Sequence, residues 1–274
     1  MNWRSVWAIA RKDLMEVRQN KAAWGPAIAL PLIFALVMPL LFIVLPQVMP
    51  AEDIAREMGD MQTLLDNLPP AMLAIFDGKS LEQMFVIYMA GFMFAPMLLI
   101  LPLMFSSVVG SDSFVGERER KTLEALLYAP TSDMELFLGK VLAAVLPAIA
   151  LSWLTHALYI VVVNIASWPL FGEVWFPLAA WWPMMFWLTP ALAVLGISAT
   201  VLISSRVRTF MEAYQMSGSL VVFVLALVLG QVSGVLILGF WTVMLVGLMV
   251  WMVDAALIYI AVSNFKRSSL VAKL

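Results

Sequence analysis

The chain has 274 residues, 63% of them hydrophobic and 12% charged, with a formal net charge of −2. Soluble domains run nearer half apolar and about a quarter charged, so this composition excludes a soluble globular domain. There is no cysteine, which removes disulfide frameworks, thiolate metal sites and cysteine nucleophiles.

The chain opens on an amphipathic segment, residues 3–20. Trp3, Val6, Trp7, Ala10, Leu14 and Val17 fall on one helical face, and Arg4, Arg11, Lys12 and Arg18 occupy the rest. Aromatic residues opposite basic ones suit a helix lying in a membrane surface; contact with a partner protein is the second reading. Residues 1–21 are thus an N-terminal interfacial helix preceding a membrane domain over 22–274. The first apolar run follows this charged stretch and is long enough to span, so the pattern is not that of a cleavable leader.

The first span is expected over about Ala22 to Pro46, with Pro26, Pro31 and Pro39 tolerated where neighbouring helices satisfy the freed carbonyls. A polar excursion, 47–84, follows. In it Ile54, Met58, Met61, Leu64, Leu65 and Leu68 recur at helical spacing, which predicts one or two helices resting on the outer surface. DGKS at 77–80 is not a phosphate-binding loop, because Leu73 stands where that pattern needs glycine. Asp77-Gly78 reads as a turn.

The second span is expected over Phe85 to Val109 and the third over Val141 to Ile165. Between them lies the coupling segment, 110–140, whose core is the most informative stretch of the chain, FVGERERKTLEALLYAPTSDMELFLGK from Phe114 to Lys140. Glu117, Arg118, Glu119, Arg120 and Lys121 are five consecutive charges, and Leu123, Leu126 and Leu127 share a helical face. Glu117 and Lys121 sit four apart in the favourable order. Pro130 closes the helix. Ser132 and Glu135 then have capping-box spacing, opening the third span.

Farther on, the lone His156 lies near Asn164; one histidine makes neither a metal cluster nor a triad, and it reads as packed and hydrogen-bonded. Trp168, Trp175, Trp181 and Trp182 surround a return loop, as expected at a membrane interface. The fourth span covers about Pro177 to Ile203, and the basic loop Ser204 to Met216 follows. Two more spans, about 213–230 and 236–262, flank a turn at 230–236 that is tight or re-entrant and contains Gln231. Asp254 lies within the sixth span. An intramembrane carboxylate is a functional candidate, with an Asp paired across helices or reached by water as the alternative.

The fold expected is therefore all-α and polytopic, with six transmembrane helices and both ends inside. That orientation places fourteen of the sixteen lysines and arginines in the cytoplasm, leaving Arg56 and Lys79 outside, as the positive-inside rule requires.

The string ERERKTLEALLYAPTSDMELFLGK resembles the segment after the second membrane helix in permease subunits of ABC-2 type exporters. That family carries a run close to E-R-E-x-G-T-L-E-x-L-L-x-x-P followed by G-K. Glu117, Arg118, Glu119, Thr122, Leu123, Glu124, Leu126, Leu127, Pro130, Gly139 and Lys140 fall on it, while Lys121 stands where many members have glycine. IARKDLMEVRQNK near the start is similar to the family's amphipathic lead-in. The resemblance implies a membrane permease in a bacterial or archaeal cytoplasmic membrane, paired with a second permease copy, identical or paralogous. It implies ATP-binding subunits that hold ATP and magnesium, with no cofactor on this chain, and a coupling helix at 117–128 that transmits their movement. No nucleic-acid partner is expected.

Residue chemistry on its own leaves two other classes open. One is an ion- or proton-coupled secondary transporter or channel using Asp254; against it stand sparse intramembrane charge and no evident inverted repeat. The other is a non-transporting membrane assembly protein. No phosphate-binding loop, metal-ligand cluster or serine–histidine–carboxylate set is evident, so the chain is not expected to be an enzyme.

Overall fold

The computed structural model describes residues 1–19, 28–50, 52, 73–120, 131–233 and 235–264. Among these there is no strand, and six helices are long and apolar enough to cross a membrane. A shorter amphipathic helix, α1 (Trp3–Gln19), precedes them. The spanning helices are α2 (Ile28–Val48), α3 (Leu81–Glu119), α4 (Asp133–Phe171), α5 (Trp181–Ser204), α6 (Phe210–Val232) and α7 (Phe240–Asn264). Each falls on an expected span. The helices predicted over 54–68 lie outside the described residues. The Asp77-Gly78 turn is present, with Gly78 at φ +68°.

Helix bounds differ most for α3 and α4, each 39 residues. At ~1.5 Å per residue each is ~58 Å long against a ~30 Å hydrocarbon layer, so both run well past the membrane. The added length comes from sequence that hydropathy discounts. Ser80 and Gln83 form a capping box that starts α3 inside the presumed polar excursion. The expected box of Ser132 and Glu135 does start α4. Gln83 Nε2 also donates to Leu170 O at 2.7 Å, tying the beginning of α3 to the end of α4.

Burial separates an inner trio from an outer one. In the most apolar windows of α3, α4 and α5, 67%, 50% and 61% of residues are buried, against 22% in each of α2, α6 and α7. The core therefore sits between α3, α4 and α5. Around Tyr159 it is aromatic: the Tyr159 ring stacks on Phe94 at 5.7 Å and on Trp181 at 5.1 Å.

The middle of α3 is irregular. Ile87–Met93 is a π-helix and Ala95–Leu99 a 3₁₀-helix. Pro96 has no N–H to give, and the change of pitch frees further carbonyls, which in a membrane must find donors within the protein. Three other helices supply them. Tyr159 Oη donates to Ala90 O at 2.8 Å, Trp181 Nε1 to Gly91 O at 2.8 Å, and Gln231 Nε2 to Phe92 O at 2.7 Å. Each bond satisfies backbone in α3 and fixes α4, α5 or α6 against it.

Helices lacking a hydrophobic drive to associate within lipid come together where small residues let backbones approach. At the α3–α5 crossing, a Cβ on Gly196 would lie 2.2 Å from Ser106 Oγ and 2.7 Å from Leu103 O. No side chain fits there.

Candidate functional site

The last turns of α3 hold the first charges of the coupling segment. Asp112–Gly116 is a π-helix, continued by the helical turn Glu117–Glu119. Five consecutive charges would ordinarily be presented to water. The structure differs: Glu117 is fully buried, and all four described charges in the run are bonded within the chain. Lys121, Thr122, Leu123, Glu124, Leu126, Leu127 and Pro130 lie outside the described residues.

Glu117 accepts from Lys12 of α1 and, at 2.6 Å, from Lys140 of α4. The Lys140 ammonium is itself buried. It also donates to Ser113 O at 2.7 Å and Ser113 Oγ at 3.1 Å, and lies 3.4 Å from Asp13 Oδ2. Ser113 Oγ donates to the same Asp13 oxygen. The ring of Phe114 lies 5.5 Å beneath the Lys140 ammonium. One buried network thus joins α1, α3 and α4. Burying an ammonium and two carboxylates is tolerable only because they satisfy one another; removing one partner strands a charge.

The other charges reach the opposite side. Arg118 Nη2 donates to Ser204 O at 3.1 Å and to Val207 O, holding the loop between α5 and α6. Glu119 Oε2 accepts from Phe210 N at 2.8 Å, covering an otherwise unused donor at the first turn of α6. Arg120 Nη1 turns back to Asp112 Oδ1 at 2.8 Å. This bond raises the Arg120 guanidinium pKa above its ordinary value, against the lowering effect of burial. The charged run is a rivet through the end of the bundle.

Lys12 also meets Glu16 at 2.9 Å and Asp13 Oδ1 at 3.4 Å. Burial alone would lower its pKa, but the bonds to Glu117 and Glu16 and the field of Asp13 outweigh that and hold it above the usual lysine value. Asp13, Glu16 and Glu117 place carboxylate oxygens within 4.8 Å of one another, a spacing a metal could use. Here the Lys12 ammonium bridges them and supplies the positive charge.

Asp13 and Lys12 of α1 reach this network because α1 lies hard against α4. A Cβ on Gly139 would come within 2.7 Å of the Ile9 side chain and 3.0 Å of Val6 O. Gly139 permits the approach and Lys140, the next residue, makes the bonds; that is a physical reason for the G-K pair. The end of the contact is closed by Glu135, whose Oε1 accepts from Asn2 N. The buried face of α1 is Val6, Ile9, Ala10 and Asp13. Trp3 and Trp7, expected on the same face as Val6 and Ala10, are 62% and 57% exposed. The apolar arc of α1 is wider than its contact with α4.

The intramembrane polar residues separate by their bonds. Asn164 donates to Phe176 O at 2.7 Å and accepts from Phe176 N at 3.2 Å, pinning the loop before α5. Gln231 serves Phe92 O, as above. His156 Nδ1 is 2.7 Å from Ser152 O, and its ring meets the edge of Trp181 at 5.8 Å. Asp254 is buried with neither carboxylate oxygen hydrogen-bonded among the described residues.

Sequence reasoning missed Asp13, Asp112 and Ser113 and gave Lys140 no contact. A signal existed: Asp13 falls on the helical stripe of Val6, Ile9 and Ala10, and Asp112 and Ser113 stand between the apolar pairs Val108–Val109 and Phe114–Val115.

Six spanning helices, a buried α3–α4–α5 core and an ion-paired junction at one end of the bundle define a polytopic integral membrane protein. A family model described as ABC-2 family transporter protein matches residues 7–245. The chain belongs to the ABC-2 transporter family, as the motif at 117–140 implied, and is a membrane permease component of an ABC exporter rather than a catalytic subunit. Membership in general implies an ATP-binding partner and dimerisation. No curated protein and no solved structure matches the chain.

Proposed function

We propose that the chain couples ATP hydrolysis on a separate subunit to export, with residues 121–128 receiving the movement and residues 117–120 passing it into the bundle. The observation that supports this reading is the junction itself. A push on the chain just after Arg120 acts on one turn of helix bonded at once to α1, α4 and the start of α6. The long α4, capped at Ser132 and continuous from Asp133 to Phe171, is the element that would carry displacement across the membrane. ATP and magnesium belong to the partner, and a second permease copy completes the pathway. The junction faces the cytoplasm of a bacterial or archaeal cell, in keeping with the distribution of lysine and arginine.

This reading divides the labour of the motif differently from the sequence alone. Glu117, Arg118, Glu119 and Arg120 position the coupling segment, and Leu123, Leu126 and Leu127 with Lys121 and Glu124 contact the ATP-binding subunit. Co-purification with that subunit tests the division. Substituting Leu123, Leu126 and Leu127 by Ser should abolish co-purification while the permease still inserts. Undiminished co-purification would move the docking surface elsewhere.

A further inference from the structure

We propose that the outer face of α1 binds an anionic phospholipid, its phosphate held by Arg4 and Arg11 and its glycerol region lying against Trp3, Trp7 and Met15. The inner face of α1 is committed to α4 and the buried network. The outer face carries an open groove of about 570 Å³ lined by Trp3, Arg4, Trp7, Ala8, Arg11 and Met15.

Met15 is 52% exposed, and with the two tryptophans it leaves a large apolar surface uncovered next to two arginines. Such a patch on a helix marks a contact surface. Among the described residues neither guanidinium makes an ion pair. Arg4 and Arg11 are seven residues apart, ~10.5 Å along the helix axis, with the small Ala8 as the floor between them. Guanidinium forks match phosphate oxygens, and indoles favour the boundary between hydrocarbon and water.

Depth selects lipid over a soluble partner. α1 crosses α4 between Glu135 and Lys140, in the polar turns just before the apolar stretch expected to span from Val141, which puts the groove at headgroup level and not in the hydrocarbon. A phospholipid offers an anion and apolar cover together at that depth. The inference is independent of how transport is energised.

Lipid retention by the purified full-length chain, read by native mass spectrometry, tests it. Phosphatidylglycerol should be retained in preference to phosphatidylcholine. Arg4→Gln with Arg11→Gln should weaken that retention roughly 30-fold, from two lost basic contacts. The melting temperature should not change, because neither guanidinium makes an ion pair among the described residues, and the corresponding double lysine variant should keep most of the preference. Equal retention of both lipids, an unaffected glutamine variant, or displacement by equimolar inorganic phosphate would each overturn the proposal.

Because the chain has no cysteine, Ala8→Cys gives a unique attachment point for a spin label. In vesicles of phosphatidylglycerol and phosphatidylcholine the label should be relaxed more by lipid-soluble oxygen than by aqueous nickel. Full aqueous exposure that ends only on adding an ATP-binding subunit would assign the face to that protein instead.

Discussion

Lys140 shows what a single residue does here. Its ammonium is fully enclosed and serves Glu117, Ser113 and Asp13 together. Lys140→Met should destabilise the chain by ~3–5 kcal/mol, because two carboxylates lose their buried counter-charge. Adding Glu117→Gln to it should recover part of the loss, since one of the stranded charges is then gone. Thermal unfolding of Lys140→Met, Glu117→Gln and the double variant in detergent checks both statements; a double variant weaker than the parent by the full sum of the two single losses would contradict the network. Asp254 predicts the opposite sign. Asp254 has no hydrogen-bond partner among the described residues, and a buried carboxyl in that state costs stability, so Asp254→Leu should unfold no earlier than the parent and gain up to ~1–3 kcal/mol. If stability rises while export falls, the carboxyl serves transport; if Asp254→Leu unfolds earlier, a partner holds it. The sequence marked Asp254 because a carboxylate within an apolar run stands out. It did not mark Lys140 as buried, because its partners lie 27, 23 and 127 positions away and complementarity at that range exists only in the fold.

Among the elements, α1 and α4 depend on the smallest residue between them. Gly139→Val places methyl groups where Ile9 and the Val6 carbonyl already sit, and such overpacking costs about 1–3 kcal/mol. Separating the helices would also draw Asp13 and Lys12 away from Glu117 and Lys140. Gly139→Val should therefore lower the melting temperature and leave Lys140→Met with less to lose, a coupling that a double-mutant cycle measures. Independent losses in that cycle would show that Gly139 and the network are unrelated. The existence of all six spans was legible because hydropathy over some twenty residues is a strong signal. Their ends were less so. α4 begins eight residues before the expected Val141, since its first turns are polar yet capped by Ser132. The irregular middle of α3 had a visible cause in Pro96, but which donors would answer the freed carbonyls was invisible until Tyr159, Trp181 and Gln231 were placed beside it. On α1, periodicity joined Trp3 and Trp7 to Val6 and Ala10 because apolarity alone does not distinguish a protein-facing residue from a lipid-facing one.

At the scale of the whole molecule, one orientation governs the functional reading. The distribution of lysine and arginine leads us to expect both ends inside, with the junction of α1, α3 and α4 toward the cytoplasm and the Lys79–Glu173 ion pair, 3.3 Å apart, on the opposite side. Single cysteines at 79 and 208 in the cysteine-free chain should react with impermeant reagents from opposite sides of the membrane. The same side for both would undo the six-span arrangement.

The claim on which the rest depends is that the Glu117 rivet transmits movement and does not itself dock the ATP-binding subunit. ATP hydrolysis and export measured together in proteoliposomes that contain the permease, its ATP-binding subunit and Glu117→Gln in place of the parent residue address it directly. The subunit should still bind and hydrolyse ATP, while export per ATP falls by about tenfold or more, the equivalent of ~1.4 kcal/mol or more of lost coupling. Unchanged export per ATP, or loss of subunit binding with a correctly folded membrane domain, would contradict it.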